Sequence, residues 1–201
     1  MIVVIDYCVG NVKSVCNALD KIGCPNLLTA EPEHIKNASG IILPGVAAFG
    51  FAMNALGESS AANIKEAALG GKPLLGICSG YQILFDSSTE LGEHKGLGLI
   101  SGTVDKLSDD VVIPHMGWNL VEPADGMRLF DGIGPEHFYF AHSFHANITD
   151  PAAKAATVEY GGHNVIASVE KGNIFGVQFH PEKSSAKGME VLKNFEKICR
   201  R

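Results

Sequence analysis

The chain has no block of basic residues, no CxxC pair, no apolar run of eighteen residues, no repeat and no low-complexity tract. Each absence excludes something. Sixteen Lys and Arg stand against 22 Asp and Glu, for a net charge of −6. Nucleic acid is bound through basic patches, so it is not an expected partner. A local pocket for a small phosphorylated molecule stays open. The five cysteines are Cys8, Cys16, Cys24, Cys78 and Cys199. Their spacing fits neither a zinc site nor a disulfide framework. No metal and no cofactor are expected, and the chain reads as intracellular and reduced, hence cytoplasmic. Nothing is expected to span a membrane. Met1 to Asp6 carries no basic leader, so no signal peptide is expected. With no linker in sight, residues 1–201 read as one domain.

What is abundant points the other way. Apolar residues make up 46% and glycine occurs 23 times. A packed fold with many tight strand-to-helix turns follows. The runs at 2–5, 41–43 and 74–77 are apolar without alternation, as in strands covered on both faces. Between them lie helical spacings: Val12, Val15, Cys16, Leu19 and Ile22 after a capping Asn11, a short helix at 33–37, and helical pieces at 53–56 and 61–69. With a strand at 26–29, the order is strand, helix, strand, helix, strand, helix, strand. That order predicts an α/β fold with a mostly parallel central sheet flanked by helices. From 96 to 145 the pattern breaks into short pieces at 102–107, 111–113, 118–121 and 137–140, read as additional antiparallel strands. Further strands are expected at 155–160, 165–169 and 174–177, in two hairpins. Ser184 or Ser185 opens a last helix carrying Met189, Leu192, Phe195 and Ile198.

The stretch KPLLGICSGYQ at 72–82 is where chemistry is first suggested. A strand ends, Cys78 turns between small residues, and a helix is expected from 80 to 86. In an α/β sheet such a turn sits at the carboxyl edge, where ligands bind. With serine in place of cysteine it is the nucleophile elbow. A helix N-terminus behind Cys78 favours its thiolate. A buried cysteine at a turn is also an ordinary packing residue. The second signal lies at 176–184, GVQFHPEKS. Another strand ends and presents His180. Pro181 holds its predecessor extended, and Glu182 reaches back to the imidazole. Cysteine, histidine and carboxylate are a thiolate nucleophile, its base and the group that orients the base. Alone, His180 reads as a satisfied histidine and Glu182 as a solvated acid. Together, at the ends of strands in one parallel sheet, they read as a triad. An oxyanion hole is also needed. The Ser79 amide supplies one donor, and the loop Gly45-Val46-Ala47 can supply another, or be an ordinary tight turn.

The whole chain resembles the class I, triad-type glutamine amidotransferases, and within them the glutaminases of imidazole glycerol phosphate synthase. The blocks that carry this are PGVAAFG at 44–50, GICSGYQ at 76–82, PHMGWN at 114–119, YFAHSFH at 139–145 and GVQFHPEKS at 176–184, with the loop from Asp6 to Asn11 that includes Gly10. The first and third are specific to the synthase glutaminases. The resemblance implies a flavodoxin-like class I glutamine amidotransferase fold. It implies that Cys78 attacks the amide carbon of L-glutamine, that His180 moves the protons and that Glu182 orients His180. Val46 and Ser79 would form the oxyanion hole. Gly45, Gln82, Glu90, His142, Ser143 and Phe144 would line the glutamine pocket, with Glu90 on the substrate ammonium. Asn11, Lys13, Trp118 and Lys183 would face a (β/α)8 cyclase subunit that receives the ammonia through a tunnel. Trp118, the single tryptophan, is by itself a fair interface anchor or a core residue.

The sequence departs from the family pattern at four places. Ser79 follows the cysteine where a long apolar residue is usual, and Tyr81 stands where Met is usual. Ala47 replaces a glycine beside a peptide thought to flip when the partner is loaded, and Phe144 replaces a tyrosine. Three alternatives stay open. They are the glutaminase of another triad amidotransferase, a paralogue serving surface-sugar amination, and a degenerate subunit that only activates its partner.

Overall fold

The computed structural model describes residues 1–7 and 11–200. Of the expected loop after the first strand, Cys8 and Gly10 lie outside the described residues. Strands β1 (Ile2–Ile5), β2 (Asn26–Thr29), β3 (Gly40–Leu43), β4 (Leu74–Ile77) and β13 (Ile174–Val177) pair in parallel, in the order β2-β1-β3-β4-β13. Their unbroken apolar character has a simple cause. Ile2, Val4, Ile42, Leu75 and Ile77 face one layer of core, and Val3, Ile5, Ile41, Leu43 and Leu74 face the other. Helices α1 (Val12–Lys21) and α5 (Ser185–Cys199) cover the first face with Val15, Leu19, Val191, Leu192 and Phe195. Helices α2 (Pro32–Asn37) and α3 (Phe49–Leu69) cover the second with Ile35, Ala52, Leu56 and Ile64. Strands β12 (His163–Lys171), β11 (Lys154–Tyr160), β8 (His115–Pro123) and β9 (Glu136–His142) extend the same sheet antiparallel beyond β13, to nine strands. No helix among the described residues is long and apolar enough to cross a membrane.

Several local expectations need correction. The helix after Cys78, α4, covers only Ser79–Gln82 rather than 80–86. The next carbonyls are claimed from outside. The Leu97, Leu99, Gly98 and Gly96 amides bond to the carbonyls of Ile83, Leu84, Phe85 and Asp86. These tertiary bonds stop the helix. The separate helical pieces at 53–56 and 61–69 belong to the single element α3, interrupted at Gly57, whose φ of 71° a glycine tolerates. Asn11 precedes α1, but its side chain makes no capping bond. No strand forms at 111–113, where the Val112 carbonyl instead accepts the Tyr160 hydroxyl at 2.6 Å.

A second sheet was not expected from the sequence. It has the order β10-β7-β5-β6, built from β5 (Ser87–Ser88), β6 (His94–Lys95), β7 (Gly102–Lys106) and β10 (Phe144–Ile148). The chain leaves the large sheet at His142 and enters the small one at Phe144. Ser143 is the crossing, and its carbonyl accepts the Leu107 amide at 2.9 Å. This seam lies beside the cysteine.

Candidate active site

The pairing of β4 with β13 brings the two chemical signals together. Ile77 lies opposite Val177, and the Cys78 amide donates to the Val177 carbonyl at 2.8 Å. One strand then delivers Cys78, and the other, three residues on, delivers His180. Cys78 has φ 55° and ψ −113°, a left-handed strain that a non-glycine residue rarely carries. Glycines permit it. A Cβ on Gly76 would stand 2.5 Å from the Gly80 carbonyl oxygen, and one on Gly80 would stand 1.8 Å from the Leu43 carbonyl oxygen. Gly80→Ala is therefore expected to destabilise the fold by about 3 kcal/mol. A denaturation midpoint equal to that of the parent chain would contradict this packing.

His180 is buried, and its Nδ1 lies 2.9 Å from Glu182 Oε1. The Glu182 carboxylate is buried too. Burial alone would lower the His180 pKa. The hydrogen bonds and charges of Cys78 and Glu182 outweigh it and push the imidazole up to about 9. The loop is pinned from behind. Ser184 Oγ donates to the His180 carbonyl at 2.7 Å and accepts the Tyr139 amide at 3.0 Å. The His180 amide donates to the Tyr139 carbonyl at 2.9 Å. Ser184 thus anchors the histidine loop rather than capping α5.

A cavity of ≈ 430 Å³ opens over Cys78 and His180. Val46, Ser79, Gln82, Glu90, His142, Ser143, Phe144 and Lys183 all line it. The small sheet contributes its wall through the Ser143 seam. Gly45 packs beneath, where a Cβ would stand 2.0 Å from Ser79 Oγ. The Glu90 carboxylate accepts the Phe49 amide at 2.7 Å, at the start of α3 and just past the 44–48 loop. It therefore joins the cavity wall to that loop. Pro114, Met116, Ala48 and Ala141 also line the cavity. Small or apolar side chains of this kind carry no chemical signature in a sequence. Of the four positions expected to face a partner, Asn11, Lys13 and Lys183 are exposed, and Trp118 is 48% exposed. Among the described residues no group of His, Cys, Asp and Glu is arranged to hold a metal ion.

Ser79 and Tyr81 act through their side chains, and the contacts of Ala47 and Phe144 run through their backbone. Ser79 Oγ accepts the Ala47 amide at 3.3 Å and bonds the Tyr7 hydroxyl, which itself donates to the Pro44 carbonyl. The unusual serine thus ties down the Ala47 end of the loop, and Tyr7 holds the Pro44 end. Burial raises the Tyr7 pKa well above its usual range, so the phenol stays a donor. Ser79→Ala frees the Ala47 amide. A net hydrogen bond is worth about 1 kcal/mol, so exchange at Ala47 should quicken roughly five-fold. Hydrogen–deuterium exchange checks this, and an unchanged rate would contradict it. Tyr81 is fully buried and occupies the space left by Gly176, where a Cβ would stand 2.2 Å from its ring. Phe144 presents its carbonyl to Gln82 and His142, both at 2.9 Å.

Two buried polar residues beside the site were missed. Gln178 and His115 both sit inside quoted motifs, at 176–184 and 114–119. A glutamine within the apolar run 174–179 was the available signal, because a buried amide needs partners.

The model of the glutamine amidotransferase class-I family matches residues 3–198. The imidazole glycerol phosphate synthase subunit HisH of Moorella thermoacetica is 47% identical over 201 residues, covering 99% of this chain and 95% of that protein. The protein of the same description from Oceanobacillus iheyensis is 43% identical, covering 100% of both. The one from Geobacillus kaustophilus is 45% identical, covering 99% of this chain and 97% of that protein. Among solved structures, a glutamine amidotransferase superposes with a TM-score of 0.78 at 17% identity, covering 99% of each chain. PurLQS from Thermotoga maritima superposes with a TM-score of 0.74 at 23% identity, covering 98% of this chain and 97% of that one. At those identities the superpositions speak for the fold.

Proposed function

The chain belongs to the glutamine amidotransferase class-I family, and on that premise we propose that it is the glutaminase subunit of an imidazole glycerol phosphate synthase. The observation that carries the reading is the β4–β13 pairing, which sets Cys78 against His180 with Glu182 behind it. The Cys78 sulfur attacks the side-chain amide carbon of L-glutamine, forming a tetrahedral oxyanion. The amides of Ser79 and Val46 receive that oxyanion. His180, holding the thiol proton, passes it to the amide nitrogen, and ammonia leaves a glutamyl thioester. His180 then takes a proton from water as the water attacks the thioester. Glutamate departs, and the proton returns to the Cys78–His180 pair. Gln82, His142, Ser143 and Phe144 shape the pocket around the substrate, over Gly45. Glu90 meets its ammonium.

The ammonia passes to a (β/α)8 cyclase subunit in a heterodimer. There it enters the phosphoribulosyl-formimino intermediate, giving imidazole glycerol phosphate and aminoimidazole carboxamide ribotide for histidine synthesis. The surface beside the cavity supports such a partner. Met116, Trp118 and Leu120 alternate along the outer face of β8 and are 64%, 48% and 42% exposed, with Val46 at 55%. Apolar side chains on one face beside the site suit a docked partner. Lys183 Nζ lies 5.8 Å from the centre of the Tyr139 ring, and Trp118 packs edge-on against the same ring. Asn11 and Lys13 offer polar contacts. The whole chain acts as one glutaminase domain in the cytoplasm, a setting that suits the free thiols of Cys16, Cys24, Cys78 and Cys199.

The test uses the complex with its cyclase and glutamine carrying ¹⁵N in the side-chain amide, with unlabelled ammonium in the medium. The product should carry the label undiluted. Dilution in proportion to the added ammonium would overturn channelling.

A further inference from the structure

Gln178 has no task in the reaction above, yet it is fully buried next to the nucleophile. Its Nε2 lies 3.9 Å from Cys78 Sγ. Its Oε1 accepts Gln82 Nε2 at 2.9 Å. The same Gln82 nitrogen donates to the Phe144 carbonyl at 2.9 Å. A carbonyl can only accept, so it is the Gln82 nitrogen that faces both partners. Gln178 must then turn its oxygen to Gln82 and its NH2 group to the sulfur. Flipping it would set two NH2 groups against each other.

The Phe144 carbonyl is itself held by a second chain. His142 Nδ1 donates to it at 2.9 Å, which leaves His142 Nε2 an acceptor for His115 Nδ1 at 2.9 Å. His115 Nε2 in turn accepts Asn119 Nδ2 at 2.8 Å. Every donor and acceptor in this row has one consistent assignment, with both rings neutral. Burial agrees, pushing His142 down to about 3 and His115 to about 4. The row begins on β8 at Asn119, between the exposed Trp118 and Leu120, and ends at the carbonyl that orients Gln82.

We infer that Gln178 donates an N–H to the Cys78 thiolate, and that Gln82, His142, His115 and Asn119 are positioning residues that hold this donor in place through the Phe144 carbonyl. A hydrogen bond to an ionised acceptor is stronger than one to a neutral acceptor. The donor therefore favours thiolate over thiol. The inference rests on the reading of Cys78 as the nucleophile.

The test is the pH dependence of Cys78 alkylation by iodoacetamide in the full chain, read on the Cys78 peptide by mass spectrometry. The titratable groups around the sulfur are His180 with Glu182 behind it, Tyr7 after β1, His142 at the end of β9, and Glu90 and Lys183 on the cavity wall. All are kept in the variants. Gln178→Met has a side chain of similar length and no donor. Its alkylation midpoint should lie about one pH unit above that of the parent chain, with about ten-fold less thiolate on the acid side. Gln178→Glu, which is isosteric, should raise the midpoint further and serves if the Met variant does not fold. A folded variant with the parent's midpoint overturns the inference, even if its melting temperature falls. If the parent chain's Cys78 fails to label, it is the nucleophile reading that falls instead.

Discussion

Cys78→Ala should abolish glutamate formation, lowering kcat by on the order of 10⁴-fold or more, because removal of a triad nucleophile leaves only binding and oxyanion stabilisation. The fold should survive. Cys78 is 6% exposed at the end of β4, and the turn is held by backbone bonds and by the close packing of Gly76 and Gly80. Alanine keeps the Cβ and loses only the sulfur, so denaturation should shift little while the activity disappears. Glutamate release that persists in Cys78→Ala at a rate within ten-fold of the parent would remove this cysteine from the reaction. The assay is best run in the complex with the cyclase and its nucleotide ligand. Under the proposed function the isolated chain should be nearly inactive and the partner should switch it on, so a highly active isolated chain would contradict that coupling.

Glu182→Gln is the second large effect. The carboxylate is buried and meets His180 Nδ1 at 2.9 Å, so it fixes the tautomer and orientation of the ring and stabilises its charged form. The neutral amide should lower kcat by about 10³–10⁴-fold. The pH profile should move as well, and the sign follows from the shift. His180 is raised from 6.5 to about 9 in the fold, with Cys78 and Glu182 outweighing burial. The proton that His180 must give to departing ammonia is therefore held up to about pH 9, and activity should fall on the alkaline side as it is lost. Removing Glu182 brings that limb toward neutral pH. The same shift contributes folding stability that is complete below pH 6.5 and is lost as the pH rises through about 9. An alkaline limb unmoved in Glu182→Gln would contradict the assignment.

The sequence revealed the parts of the structure where one residue type has one job. Strands buried on both faces read as unbroken apolar runs, and the two strand ends that meet are marked by Gly-x-Cys-x-Gly and His-Pro-Glu. Their meeting was inferred from parallel topology, and the β4–β13 ladder supplies it. Tertiary backbone bonding was not legible. Nothing local shows that residues 96–100 take the carbonyls after Gln82 and end α4 there. The small sheet was missed for a related reason. β5 and β6 are two residues each and polar, too short to show a period. β10 begins one residue after β9 ends, across Ser143. The side chains that orient the site through buried hydrogen bonds, Gln178 and His115, depend on distances between segments far apart in the chain. Ser79 is the instructive case. The sequence marked it as a departure and offered its amide as an oxyanion donor, and its hydroxyl also holds the Ala47 amide across the loop.

The most direct measurement is a rapid acid quench of the complex with its cyclase during turnover of radiolabelled glutamine, followed by peptide mapping. The account predicts a glutamyl label on the peptide containing Cys78, released by hydroxylamine as a thioester is, and absent in Cys78→Ala. Continued glutamate production with no label on that peptide, or with the label on another cysteine, would contradict it.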